Sequence, residues 1–174
     1  HRQQDCSHLG IDRQRVEIIV ALALRVVRGS KRKVGLFGIV ASGKAYLDTR
    51  QALSDLGLDE QTCKDIGIRL FKCGMVWPLE PEGVRHFAEG LEEILVVEEK
   101  RQLLEYQLKE ELYNWRADVR PHVLGKFDQQ GSGAEGDEGG EWSQPNPSGN
   151  WLLRANADLS PALIAGAIAK RLKK

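Results

Sequence analysis

Val34-Gly-Leu-Phe-Gly-Ile-Val-Ala41, followed at once by Ser42-Gly43-Lys44, is the stretch from which the fold can be read outward. A strand with one wet face alternates apolar and polar residues. A strand covered on both faces has no such need and reads as a nearly unbroken apolar run. Residues 34–41 are of the second kind, so they predict a buried strand of a parallel sheet. Gly43 opens a tight exit from it. From there Ala45, Thr49, Ala52, Leu53 and Leu56 recur at helical spacing and mark the inner face of a helix over residues 43–56, ended by Gly57.

The pattern repeats toward the C-terminus. Residues 59–65 predict a short helix capped by Asp59 and ended near Gly67, and residues 68–75 a second strand. Pro81 suits the first position of a helix whose inner face is Val84, Phe87, Ala88 and Leu91. Residues 93–97 are again continuously apolar apart from Glu93, a third strand. Leu104, Leu108, Leu112 and Trp115 form one stripe of a helix over 102–115, and residues 122–127 a weaker fourth strand. Trp151 to Arg154 reads as a short edge strand. Ser160-Pro161 starts a last helix, with Leu163, Ile164, Ala167 and Ile168 inward. Toward the N-terminus, Asp12, Glu17, Arg25 and Arg28 frame a helix over 12–28. Strands alternating with helices predict an α/β protein: a three-layer α/β/α arrangement around a mainly parallel sheet.

Composition divides the chain into three parts. Residues 1–32 are a helical lead-in, and residues 33–130 with 150–174 the α/β domain. Between them, residues 131–149 hold six glycines, two prolines and four acidic residues, the composition of a mobile insertion. The 174 residues carry 25 basic and 25 acidic side chains, and this balance argues against nucleic acid or an anionic membrane as partner. The charge is uneven nonetheless: residues 1–33 have eight basic and three acidic side chains, residues 128–141 five acidic and none basic. No apolar run approaches the ~18 residues of a membrane span. Three cysteines, Cys6, Cys63 and Cys73, are too few and too scattered for a disulfide framework and fit a reducing cytoplasm. Cys6 and His8 are the sole cysteine and histidine in proximity, so no metal site is expected. Beginning at His1 with a single methionine, Met75, the chain reads as a piece of a longer protein.

One motif invites a nucleotide. Gly38-Ile-Val-Ala-Ser-Gly43-Lys44-Ala45 comes close to the phosphate loop, in which glycine amides cradle phosphates, a lysine reaches the outer ones and a hydroxyl holds Mg²⁺. Ala45 stands where that hydroxyl belongs, and Ile39 and Val40 look like strand interior. Gly38, Gly43 and Lys44 are therefore kept as an alternative phosphate site, in a nucleotide-binding regulatory domain. Glu98 and Glu99 are adjacent, so on a strand they face opposite ways, and they read as surface carboxylates. Ser42 lacks the context of a nucleophile elbow. His86 reads as a surface or half-buried residue. Met75, Trp77 and Pro78 read as an apolar interface, which would also suit a stand-alone interaction module.

The order of these pieces resembles the C-terminal domain of transketolase-type enzymes. The residues that carry the resemblance are Val34 to Gly43, Leu56-Gly57, Trp77-Pro-Leu-Glu-Pro-Glu-Gly-Val84 and Val96-Val-Glu-Glu99. More specifically, Gly38 to Asp48, Gly74 to Val84, Glu92 to Lys100 and Gln107 to Asn114 resemble the indolepyruvate ferredoxin oxidoreductase family. The likeness covers residues 34–127 and 151–172. It implies a parent enzyme that oxidatively decarboxylates 2-oxo acids, aryl pyruvates in particular. The parent would use thiamine diphosphate with Mg²⁺, pass electrons to ferredoxin and act as a homodimer, with iron–sulfur clusters as a further candidate cofactor. Gly136-Asp137-Glu138 is not the Gly-Asp-Gly of a thiamine diphosphate site, and no paired asparagines follow it. The resemblance therefore implies no cofactor, metal or catalytic residue in this segment, which would be a structural domain packed against the other domains of the parent.

Overall fold

In the computed structural model of the chain, residues 36–127, 152–155 and 158–172 are described. The helix expected over 12–28 and the insertion at 131–149 lie outside them. The first described strand is β1 (Leu36–Ser42), which exits into α1 (Gly43–Asp55). Then follow α2 (Glu60–Ile66), β2 (Ile68–Cys73), α3 (Pro81–Ala88), β3 (Leu91–Val97), α4 (Leu104–Leu112), β4 (His122–Leu124) and α5 (Pro161–Leu172). The strands form one sheet in the order β2-β1-β3-β4, and every pairing is parallel.

The unbroken apolar run of β1 is explained by the two cores it feeds. Phe37, Ile39 and Ala41 point to one face of the sheet. There they meet Ala52 and Leu53 of α1, Ile66 of α2, and Ile164 and Ile168 of α5. Val40 points to the other face, among Val84 and Phe87 of α3 and Leu104, Leu108 and Leu112 of α4. β3 divides in the same way, with Leu95 and Val97 on the first face and Ile94 and Val96 on the second. This is the three-layer α/β/α architecture. Each fully buried Leu or Ile contributes ~1.5–3 kcal/mol, so central strands lined on both sides dominate the stability.

The ends of the elements follow local chemistry. The Asp59 carboxylate accepts from the Thr62 amide at 2.7 Å, and Gly67 closes α2 at φ 80°, a left-handed conformation that favours glycine. Pro81 is the first residue of α3, and Glu80 before it accepts from the Glu82 and Gly83 amides. The bond between Trp77 and Pro78 is cis.

Three expectations are corrected. Leu91 is not on the inner face of α3 but begins β3, because Gly90 at φ 72° turns the chain and returns it to the sheet. Leu152 and Leu153 form bends and Arg154 is irregular, so the described part of this stretch is not an edge strand. The Leu152 and Leu153 amides converge on a single acceptor, the Lys126 carbonyl, at 2.8 and 3.3 Å, which no strand ladder does. Leu163 is 49% exposed, since Ile164 and Ile168 already fill the seam between α5 and the sheet.

Candidate functional site

The four described strands are parallel, so their carboxyl ends share one edge of the sheet. β1 is followed in sequence by β2 on one side, whereas β3 lies on its other side. The chain leaves neighbouring strands in opposite directions there, and in open α/β sheets ligands bind in the crevice so formed. Here that crevice lies between the exits of β1 and β3, Ser42-Gly43-Lys44 and Glu98-Glu99.

At the β1 exit, Gly43 has φ 49° and open space where a Cβ would stand. Lys44 reaches not into a phosphate cradle but to Asp48, at 2.5 Å, with the Leu159 carbonyl at 3.4 Å and Glu99 at 3.8 Å. The hydrogen bond to Asp48 raises the Lys44 pKa, aided by the charges of Asp48, Glu99 and Asp158. Gly38 is far from this turn. It lies within β1, in register with Arg69 of β2 and Ile94 of β3, and residues 38–42 are extended strand. A Cβ on Gly38 would stand 2.5 Å from Leu91 and 2.9 Å from Phe87, so glycine is required there by packing. Ala45 offers only its carbonyl, which accepts from the Thr49 hydroxyl. The structure thus leaves Gly43 and Lys44 together and Gly38 apart from them.

At the β3 exit the expectation of surface carboxylates fails for Glu98. It is buried, 9% exposed, and seated on the start of α4. One carboxylate oxygen accepts from the Leu103 and Leu104 amides at 3.2 and 2.7 Å, the other from Glu105 at 3.0 Å. A helix begins with unsatisfied N–H groups and a partial positive charge, the usual seat of a bound anion. The chain fills that seat with its own carboxylate. Burial pushes the Glu98 pKa up, with the three amide hydrogen bonds pulling it back. Glu99 is more open, and its near partner is Lys44.

Lys126, 1% exposed, completes the cluster. Its Nζ donates to the Glu98 carbonyl, its backbone amide donates to Glu105 at 3.2 Å, and its carbonyl receives Leu152 and Leu153. Burial lowers its pKa, and the charges of Glu98, Glu105 and Glu99 oppose that. Glu105 is also buried and pairs with Lys109 at 2.7 Å. Sequence reasoning missed Lys126. The available signal was a lysine amid Val123, Leu124 and Phe127 at the end of a buried strand.

The second feature of this edge is apolar. Beyond β2 the loop bearing Met75, Trp77 and Pro78 is exposed, Trp77 by 68%. The loop is nonetheless fastened. Buried Gln107 of α4 accepts from the Leu79 amide at 2.7 Å and donates to the Val76 carbonyl at 2.9 Å. Leu103, whose carbonyl Gln107 also meets, adds a further exposed apolar side chain. The structure therefore brings Met75, Trp77 and Pro78 together in one loop. His86 stands exposed on α3, beside Glu89 at 3.4 Å. Cys63 and Cys73 are free thiols, and burial raises both pKa values, the mark of inert cysteines. Among the described residues, no group of three or more His, Cys, Asp or Glu side chains could hold a metal ion. No described helix is long and apolar enough to cross a membrane.

Such an edge belongs to a parallel α/β domain whose crevice is closed by its own charges and whose exposed apolar loop is held in place. The sequence pattern of the indolepyruvate ferredoxin oxidoreductase middle domain matches residues 23–174, and the chain belongs to that family. It is also similar to the indolepyruvate oxidoreductase subunit IorA of Pyrococcus horikoshii and to that of Pyrococcus abyssi. Each is 33% identical over 72 residues, 41% of this chain and 10% of the relative. The match thus spans about a tenth of the length of these curated relatives. No solved structure matches the chain.

Proposed function

We propose that this chain is a structural, non-catalytic domain of a larger oxidoreductase, docked through its Trp77 loop onto the domains that hold the cofactor. The enzyme would oxidatively decarboxylate aryl pyruvates such as indolepyruvate, using thiamine diphosphate and Mg²⁺ and passing electrons to ferredoxin. The family membership supports the oxidoreductase parent. The observation that carries the docking role is the Met75–Trp77–Pro78 loop, exposed at its tip and pinned at Val76 and Leu79 by Gln107. An apolar side chain held out in water on an ordered loop is placed for a partner surface.

Two features support placing thiamine diphosphate outside this chain. The amides at the start of α4, which could receive a pyrophosphate, are filled by Glu98. Lys44, the cation at the neighbouring exit, lies among Asp48, Glu99 and Asp158, and these carboxylates repel a phosphate. The described residues at this edge do not fit the cofactor, so no step of the chemistry is assigned to them.

The test is Trp77→Asp in the complete enzyme. A carboxylate forced into a docked apolar interface is costly, about the several kcal/mol of an unpaired buried charge. Activity should fall while the isolated variant chain keeps the circular dichroism and denaturant midpoint of the parent chain. Full activity of the variant enzyme would end the docking reading.

A further inference from the structure

A continuous set of hydrogen bonds joins buried Glu98 to the Trp77 loop. The Glu98 carboxylate receives the Leu103, Leu104 and Glu105 amides and so sets the first turn of α4. Within that turn, Gln107 Nε2 donates both to the Leu103 carbonyl, at 3.0 Å, and to the Val76 carbonyl, at 2.9 Å. Its Oε1 accepts from the Leu79 amide. Val76 and Leu79 bracket Trp77 and Pro78, so both ends of one buried side-chain amide are committed to the loop. We infer that Glu98 is a positioning residue for this loop, and that its protonation remakes the first turn of α4 and, through Gln107, moves Trp77. The consequence for docking rests on the function proposed above; the coupling itself does not.

The reason lies in acceptor chemistry. An ionised carboxylate accepts at both oxygens, whereas a protonated one turns one oxygen into an O–H donor. With amides on both Glu98 oxygens, protonating either one sets at least one amide against a hydroxyl, a weaker acceptor that carries its own proton, and the turn must adjust. The charged and titratable groups around Glu98 come from three elements. Lys126, after β4, binds the Glu98 carbonyl through Nζ; Glu105 on α4, itself paired with Lys109, adds a like charge; the Cys73 thiol lies at the end of β2. Glu99 follows in the chain and bears on Lys126. Burial lifts the Glu98 titration above the ordinary range of a glutamate, which separates it from the exposed carboxylates of the surface.

The experiment is a pH titration of the 174-residue chain followed by nuclear magnetic resonance. In the wild-type chain the Leu104 and Leu79 amides and the Trp77 indole should share one inflection, above the ordinary glutamate range. Glu98→Gln should remove that inflection from all three signals. Gln107→Leu should keep it at Leu104 and remove it from Leu79 and Trp77. A flat response of Leu79 and Trp77 in the wild-type chain overturns the inference, as does a shared inflection that survives in Glu98→Gln. Should Glu98→Gln fail to fold, the wild-type and Gln107→Leu titrations decide the matter. None of these signals involves a docking partner, so an active Trp77→Asp enzyme would end the docking role and leave this coupling standing.

Discussion

Lys126 shows how much one residue can tie together. Its side chain, carbonyl and amide engage three different stretches, and its ammonium is balanced by Glu98 and Glu105. Removing one member of such a buried set leaves the others uncompensated, at a cost of ~3–5 kcal/mol. Lys126→Met should therefore destabilise the chain by about that much at pH 7.5. The pH dependence has a definite sign. Glu98 titrates higher folded than unfolded, so its ionisation costs stability above the folded value, and that cost is relieved as pH falls through the window between the two. Without Lys126 the Glu98 value should climb further and the relief should grow. Urea midpoints should thus show a deficit that narrows from pH 7.5 toward pH 5; an equal deficit at both would refute this account. A second contrast separates packing from phosphate binding. Gly38→Ala should cost ~1–3 kcal/mol by overpacking against Leu91 and Phe87. Lys44→Ala, at an exposed ion pair, should leave the urea midpoint essentially where it is. Calorimetry with MgATP should give no saturable micromolar binding; binding that Lys44→Ala abolishes would restore the nucleotide reading.

At the scale of elements, the helices differ in what fastens them. The Asp59 cap and Gly67 stop make α2 self-bounded. The start of α4 depends instead on a carboxylate five to seven residues earlier in the chain, and α5 on both apolar packing and an ion pair. Arg171 of α5, 3% exposed in its side chain, donates through Nε and Nη2 to the two oxygens of Glu93 on β3. Arg171→Ala should cost near the low end of ~3–5 kcal/mol, because the Glu93 side chain keeps 20% of its exposure and can rehydrate. Amide exchange across residues 161–172 should quicken before that of β1 or β3. Uniform exchange in all elements would show that α5 opens only with the whole domain. Gly125 is fixed by the same cluster: a Cβ there would stand 2.0 Å from a Glu105 carboxylate oxygen, and Gly125→Ala should displace it from the Lys126 amide.

For the whole molecule, the two cores hold one sheet between them, and the exposed Trp77 loop and the self-filled crevice lie on the same edge. The isolated chain should fold cooperatively, bind no thiamine diphosphate and leave indolepyruvate unoxidised with an artificial electron acceptor. Turnover by the purified chain would sink the structural role.

Much of the fold could be read without coordinates because the decisive interactions are local or repetitive. The apolar run at residues 34–41 reveals a strand covered twice, and the helical spacing from Ala45 to Leu56 a face that must be buried. Asp59, Gly67 and Pro81 act on backbone groups within a few residues, so their type and position suffice. Trp77 and Pro78 were legible for the same reason, as an apolar residue beside proline punctuation, whereas Met75, expected at the end of the second strand, lies in the loop because β2 stops at Cys73. The strand order β2-β1-β3-β4, the burial of Glu98 and the place of Lys126 were not legible. A carboxylate reads as a surface group until the amides that receive it are known. Lys126 meets Glu98 across 28 positions of sequence, a separation that carries no periodic signal. Local pattern reports whether a residue must leave water; which partner meets it there is decided by how the elements pack, and only the assembled sheet supplies that.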